Sequence, residues 1–369
     1  MPDESPPPEI QLNEPGQHAA EKALPPVQPP TAGFVFQLFI IPAIIVGIIA
    51  VVSLLFSWLA HMGGTSESLV KDLERGGPHS WQTAYNLARE LQKPGNAVLR
   101  RDEALAGKLA TMLDRQLDIP LSSYEGAESA SVLEPNPRKA MAQLRFFLCR
   151  TLGEFETSVV LPVLIRAATT EEHVGEGPND LGDEYVRLSA IEAITVLVGR
   201  LGPARIPNPD VVNDAIHMAC ERDDDSMANG RTQLRSAAAF AMGVMGGESN
   251  LDRLASMCND AELNVRFNAA TGLARNGDVR CQEVLLEMLS VDLEAIPSEG
   301  DQGESYAQVW KQHTIWRNAL RCLERLAHEN PGADMDVFRM AVGELLQEES
   351  IGELISEVRE TLDVLEKRP

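Results

Sequence analysis

The sequence predicts an all-α protein: an α-solenoid of helix pairs that follows one N-terminal transmembrane helix and a disordered tail. Three observations predict it. From residue 80 onward, apolar residues recur at helical spacing, with no convincing run of alternating strand residues. An apolar residue followed by arginine opens five of these helical stretches. Upstream, Gly33 to Ala60 contains no charged residue, whereas nine of the 23 prolines lie in the first 30 positions.

The averages hide that partition. The 369 residues are 44% hydrophobic and 24% charged, a globular composition in a chain longer than one ordinary core would use. Lys and Arg total 32 against 55 Asp and Glu, a formal net charge of −23 that opposes broad contact with a phosphate backbone, so nucleic acid is not an expected partner. The five cysteines, Cys149, Cys220, Cys258, Cys281 and Cys322, lack the close pairing of a zinc knuckle or a disulfide framework. Each falls at an apolar position of a helical pattern, which reads as a small buried hydrophobe in a reducing compartment.

Residues 1–32 have no apolar periodicity, and their prolines withhold the donors that regular structure needs, so a disordered, acidic, proline-rich tail is expected. Residues 33–61 follow as a transmembrane helix. Between Gly33 and Ala60 only Gln37, Ser53 and Ser57 are polar. At about 1.5 Å per residue the helix is roughly 40 Å long, enough to cross about 30 Å of hydrocarbon with some tilt. The run is too long, and its preceding segment too acidic, for a cleaved signal peptide. Lys22 stands before the span and Lys71 and Arg75 after it, which with the unpaired cysteines places the C-terminal domain on the cytoplasmic side of a single-pass membrane protein. Residues 62–79 read as a juxtamembrane linker and 80–369 as the solenoid.

Within the solenoid the five heads are Leu144-Arg145, Val186-Arg187, Leu234-Arg235, Val265-Arg266 and Trp316-Arg317. In LRSAAAFAMGVMGG from Leu234, small residues follow the arginine at positions that share one helix face, and VRFNAATGLARNGD from Val265 repeats the scheme with Ala269, Ala270, Gly272 and Leu273. Small groups on one face let a second helix approach closely. Gly246-Gly247 and Asn276-Gly277 fall at the same offset, where a left-handed cap ends a helix. A second apolar helix follows each, from Leu251 and from Cys281.

This pattern resembles the HEAT-repeat family, especially the bacterial HEAT-like repeats associated with phycobilin lyases. Asp183-Glu184-Tyr185-Val186-Arg187 matches the opening of the family's first helix, and Arg235 to Gly243 and Arg266 to Leu273 match its body. The resemblance covers roughly residues 80–350 and is strongest over 184–290. It implies stacked helix pairs, and it implies a structural role for Arg145, Arg187, Arg235, Arg266 and Arg317, each partnering an acidic residue in a ladder between neighbouring repeats. It also supplies an alternative function, chromophore attachment or a chaperone role, through the family's lyase members.

The residues assemble no catalytic set: no zinc-protease helix, nucleophile elbow, phosphate loop or dinucleotide fingerprint occurs, so an enzyme, a cofactor and a metal are not expected. His217 and Cys220 could share a metal by spacing, but Cys220 belongs to the apolar face and His217 lies towards the polar one. Glu171 to Glu184 holds six carboxylates and Asp292 to Glu304 five, with no lysine or arginine in either stretch; both read as solvated loops, the alternative being that they attract basic partners or cations. The leading expectation is a membrane-anchored, non-catalytic scaffold whose repeat surface binds partner proteins, with Asn213, His217, Asp252 and Ser256 on second helices as candidate contacts. The third reading is a passive envelope assembly factor.

Overall fold

The computed structural model describes residues 32–61, 66–77, 79–124, 136–170, 182–220, 229–291 and 302–367. Every regular element among them is helical. The tail expected before the span lies outside the described residues, as do 171–181 and 292–301, the greater part of both acidic loops. The chain divides into two units, Met1–Gly63 and Gly64–Pro369.

The first unit contains α1 (Ala32–His61). Its side chains are described without a break only from residue 42 to residue 55, so part of the apolar run expected to span a membrane lies outside the described set. Among the described residues no helix is long and apolar enough to cross a membrane.

The second unit opens with α2 (Ser66–Arg75), α3 (Ser80–Gln92), α4 (Ala97–Arg100), α5 (Glu103–Leu117), α6 (Pro137–Gly153), α7 (Leu161–Ala168) and α8 (Asp183–Leu201). It continues through α9 (Pro209–Met218), α10 (Asn229–Met245), α11 (Glu248–Met257), α12 (Leu263–Arg275), α13 (Gln282–Leu289), α14 (Gln302–Glu329), α15 (Asp336–Leu345) and α16 (Ile355–Glu366). The stretch expected as a linker, 62–79, therefore carries a helix. Val70 and Leu73 of α2 are buried in the core, because the apolar spacing there continues upstream of residue 80.

Local chemistry sets several boundaries. The Asp102 carboxylate accepts the Leu105 amide at 2.9 Å and starts α5. Asn136 accepts the Arg138 and Lys139 amides, and Pro137 follows at the first helical position, where its missing donor does no harm. Gly246 and Gly277 take φ of 65° and 73° just past α10 and α12, the left-handed geometry that closes a helix cheaply only without a Cβ.

Helices α3, α6, α8, α10, α12, α14 and α16 form a row in which each packs on the next. They run parallel. Ser189 Oγ of α8 donates to the Phe146 carbonyl of α6 at 2.8 Å, and further along both helices in the same direction Gly153 meets Ala193. Helices α5, α7, α9, α11, α13 and α15 return the chain, an order consistent with an α-solenoid. The row closes through missing side chains. A Cβ on Gly153 would lie 2.7 Å from the Cα of Ala193, and one on Gly272 would lie 2.9 Å from the Cα of Gly243.

A paired substitution tests that closure. Gly243→Ala drives a methyl into the Gly272 backbone and should lower stability by about 1–3 kcal/mol. Gly199→Ala, on α8 with nothing within 4 Å of the added carbon, should raise it by about 0.5–1 kcal/mol. Urea unfolding followed by circular dichroism reads both, and equal effects would remove helix approach as the reason for glycine at 243.

Candidate protein-interaction face

The repeat arginines stand at the seams between helix pairs. Arg145 is fully buried; its guanidinium donates to the Gln116 carbonyl at 2.7 Å and to that of Ile119, and lies 3.9 Å from the Asp183 carboxylate. Arg187 donates to the Ala168 carbonyl at 2.9 Å. Arg266 donates to the carbonyls of Asp260 at 2.7 Å and Ala261 at 3.0 Å. Arg187, near the start of α8, satisfies a carbonyl at the end of α7, where acceptors are orphaned and the helix dipole is negative, whereas Arg145 and Arg266 reach carbonyls at or just past the end of the preceding second helix.

Carboxylates complete the seams. Arg235 binds Asp260 through two nitrogens at 3.3 Å each, and Arg317 binds both oxygens of Glu357 at 2.9 and 3.0 Å. Arg266 binds Glu287, on α13 of its own pair, at 3.2 Å, rather than the carboxylate of Glu262 or Asp260 that stands nearest in sequence. Glu287 is its strongest partner and raises the Arg266 pKa above the usual arginine value. The Asp260 carboxylate is taken by Arg235.

The four second-helix candidates do not form a common free surface. His217 Nε2 meets Asn250 Oδ1 at 2.8 Å, and Asn250 Nδ2 donates to Asn213 Oδ1 at 3.0 Å and to the Gly246 carbonyl at 2.7 Å. Asn250 is buried, so Asn213 and His217, both half-buried, bridge α9 to α11. Asp252 is exposed and holds Arg280 at 2.7 Å, while exposed Ser256 donates to the Asp252 carbonyl at 3.2 Å. Cys220 turns away from His217, its thiol donating to the Ile216 carbonyl at 3.5 Å. Burial pushes the thiols of Cys149 and Cys220 up to about 12 and that of Cys258 to about 11, and it raises those of Cys281 and Cys322. All five are free.

Two depressions lie on the first helices. Leu188, Glu192 and Val196 are spaced by four on α8 and form one stripe; Phe240 faces them from α10, and small Ser236 and Ala237 leave the floor low between these walls. The depression measures about 510 Å³. Its far rim is a polar rung, Asn268 of α12 donating to Ser236 Oγ at 2.8 Å and to the Ser236 carbonyl at 3.0 Å. Beyond the same rung a second depression of about 220 Å³ runs between Thr271 of α12 and Trp310, Lys311 and Thr314 of α14. Together they make one groove across four helices.

Its apolar groups are unusually available. Trp310 is 71% exposed, and Phe240 and Val196 are each more than one-third exposed. The Arg275 guanidinium lies over the Phe240 ring at 5.5 Å from the centroid. On the other side the face continues into stacked Tyr185 and Phe146, centroids 4.1 Å apart, with Arg150 above Phe146 at 5.9 Å. Glu192 is the carboxylate of the larger depression and Lys311 the cation of the smaller. Glu192 is exposed as a residue, yet its carboxyl is partly desolvated beside these walls, which raises its pKa, and the Arg150 charge offsets part of the rise.

Sequence reasoning missed this groove. The spacing of Leu188, Glu192 and Val196 and the lone Phe240 after three alanines were the available signals, but both belong to helices whose small-residue stripes mark them as core. No family model matches the chain, and no curated protein does either.

Two outcomes follow from this geometry. Arg266→Ala strands the Asp260 and Ala261 carbonyls and leaves Glu287 unpaired, so it should lower stability by about 1–2 kcal/mol, with Arg266→Lys recovering only part because lysine lacks the planar fork. Unchanged melting of Arg266→Ala would sink the seam assignment. Glu192 behaves oppositely. A carboxyl whose folded pKa exceeds its unfolded value weakens the fold above the unfolded pKa, and the penalty disappears well below it. Glu192→Gln should therefore raise the melting temperature at neutral pH and leave it unchanged in acid, which melting curves across pH would check.

Proposed function

We propose that this chain is a non-catalytic protein-binding scaffold, that it captures partner segments in the first-helix groove, and that α1 tethers it to a membrane. The carrying observation is the groove itself: exposed aromatic and aliphatic side chains continuous across α8, α10, α12 and α14, interrupted by polar groups at fixed places. A monomer in water gains nothing from leaving Trp310 and Phe240 uncovered, and such patches mark places where another surface docks. Stacked helix pairs of the HEAT-like kind suit this task, since each pair adds a strip of contact without disturbing the core.

The tether rests on α1. Ile44, Val46, Ile48, Ile49, Val51 and Leu54 are each more than half exposed and lie on every side of the helix. A helix apolar all round is stable in hydrocarbon, where its backbone bonds are already satisfied internally. Lys71 and Arg75 after the helix favour a cytoplasmic second unit.

Two measurements test the reading. Affinity capture from solubilised membranes should recover partners with the wild-type chain and lose them with Phe240→Ala/Trp310→Ala, while stability falls by about 1 kcal/mol at most, since Trp310 is mostly exposed and Phe240 is 38% exposed. Equal capture by both proteins would overturn the groove as the docking surface. For the tether, single cysteines placed in a background free of native thiols should react with an impermeant reagent on intact cells at residue 10 and not at residue 175. The reverse pattern would put the second unit outside, and a chain washed from membranes by carbonate would remove the span.

A further inference from the structure

We infer that the segment held in this groove carries a lysine or arginine between apolar anchors and lies in one direction, its cation on Glu192 and its acidic end towards Lys311. The inference rests on the docking role proposed above and adds the chemistry of the occupant. Glu192 has no hydrogen bond or ion pair among the described residues. Its charged neighbour Arg150 stands over the Phe146 ring instead. A carboxylate set between Leu188 and Val196, opposite Phe240, loses water as the groove is covered, and only a cation brought by the occupant compensates that loss.

At the other end the charge is reversed. Lys311 lines the depression beside Trp310, and no carboxylate lines it. The groove thus carries the Glu192 carboxylate at its α8 end, with Arg150 and Arg275 engaged on the Phe146 and Phe240 rings, and the Lys311 cation at its α14 end, each next to an apolar anchoring site, with the Ser236–Asn268 rung between them. An occupant laid backwards sets like charges against each other, which selects one orientation. Three interhelical steps of about 8–10 Å separate α8 from α14. That distance, roughly 25–30 Å, is covered by about 16–20 residues of helix or by about eight residues of extended chain.

The wider field agrees in sign. The net charge is −23, and the connectors 171–181 and 292–301, which lead into α8 and α14, hold carboxylates and neither lysine nor arginine. Such a field draws a basic segment towards the groove before contact and repels an acidic one.

The probe is a library of displayed random peptides of about 20 residues, selected on the full chain in nanodiscs of neutral lipid. Selection is repeated on Glu192→Lys, Lys311→Glu and Phe240→Ala/Trp310→Ala, with melting curves confirming that each variant is folded. Wild-type selection should enrich peptides with a lysine or arginine flanked by aromatic or aliphatic residues. Affinity for such a peptide should fall about tenfold or more on Glu192→Lys and recover when the peptide's cation is exchanged for glutamate. Lys311→Glu should weaken only peptides whose acidic residue lies at the corresponding end. Peptides without a basic consensus, or binding indifferent to Glu192→Lys, would overturn the charge assignment while leaving the groove intact, provided Phe240→Ala/Trp310→Ala still abolishes binding. If that double variant binds as the wild type does, or if no peptide is enriched, the docking role fails and the inference with it. Self-association lost on Glu192→Lys, with no peptide selected, would make a second copy the occupant and overturn the proposal.

Discussion

The row of parallel first helices depends on backbones approaching where side chains are missing. At Gly243 and Gly272 the two helices meet through main-chain atoms, and Gly153 meets Ala193 in the same way two steps earlier in the row. Close contact of this kind fixes both the separation and the register of neighbours, because a shift of one residue would bring a Cβ into the other backbone. Once register is fixed, the side chains at the ends of the helices fall opposite defined partners. Asn276 donates to the carbonyls of both Gly243 and Gly272, and Asn330 repeats the gesture towards Gly277.

The arginine seams are a consequence of that register. A guanidinium near the start of one first helix can reach the end of the previous second helix only if the stack neither slides nor splays. Buried Arg145 shows how strict the placement is, since a charge so fully removed from water is tolerated only with carbonyls and a carboxylate around it. The exposed seams are weaker individually. Arg166 with Asp114 and Asp118, and Arg280 with Asp252 and Asp278, lie at partly exposed sites where water and salt screen much of the attraction.

Much of this architecture was legible in the sequence because small residues, cap glycines and arginines recur at the same offsets, and each has a physical reason for its place. The all-helical class and the caps at Gly246 and Gly277 follow from those offsets, whereas the structural role of Arg235 and Arg266 was an implication of the family resemblance. Partner identity did not follow. Arg266 finds Glu287 rather than a nearer acid because the choice depends on where α13 returns, a tertiary fact. α2 escaped notice because ten residues beside a Gly63-Gly64 pair look like a linker until α3 is there to cover Val70 and Leu73. The groove was hidden for a related reason: Phe240 and Trp310 are ordinary apolar residues of helical patterns, and only the stack decides which of them lack a cover.

The same stack explains why the exposed groove belongs to the first helices and not to the second. Second helices α9 and α11 are tied across by Asn250, whose amide is fully used by Gly246, Asn213 and His217, so their polar side chains serve the fold. First helices are locked chiefly by their backbones, with the Asn268–Ser236 rung a side-chain bridge on the groove face. Their outward positions are therefore free to carry groups that the fold would reject elsewhere, such as a carboxylate among hydrophobic walls with no protein cation bonded to it. Glu192, exposed as a residue beside those walls, is carried on a helix that packs through its opposite face. Rigid packing on one side is what lets the other side remain unsatisfied until something binds.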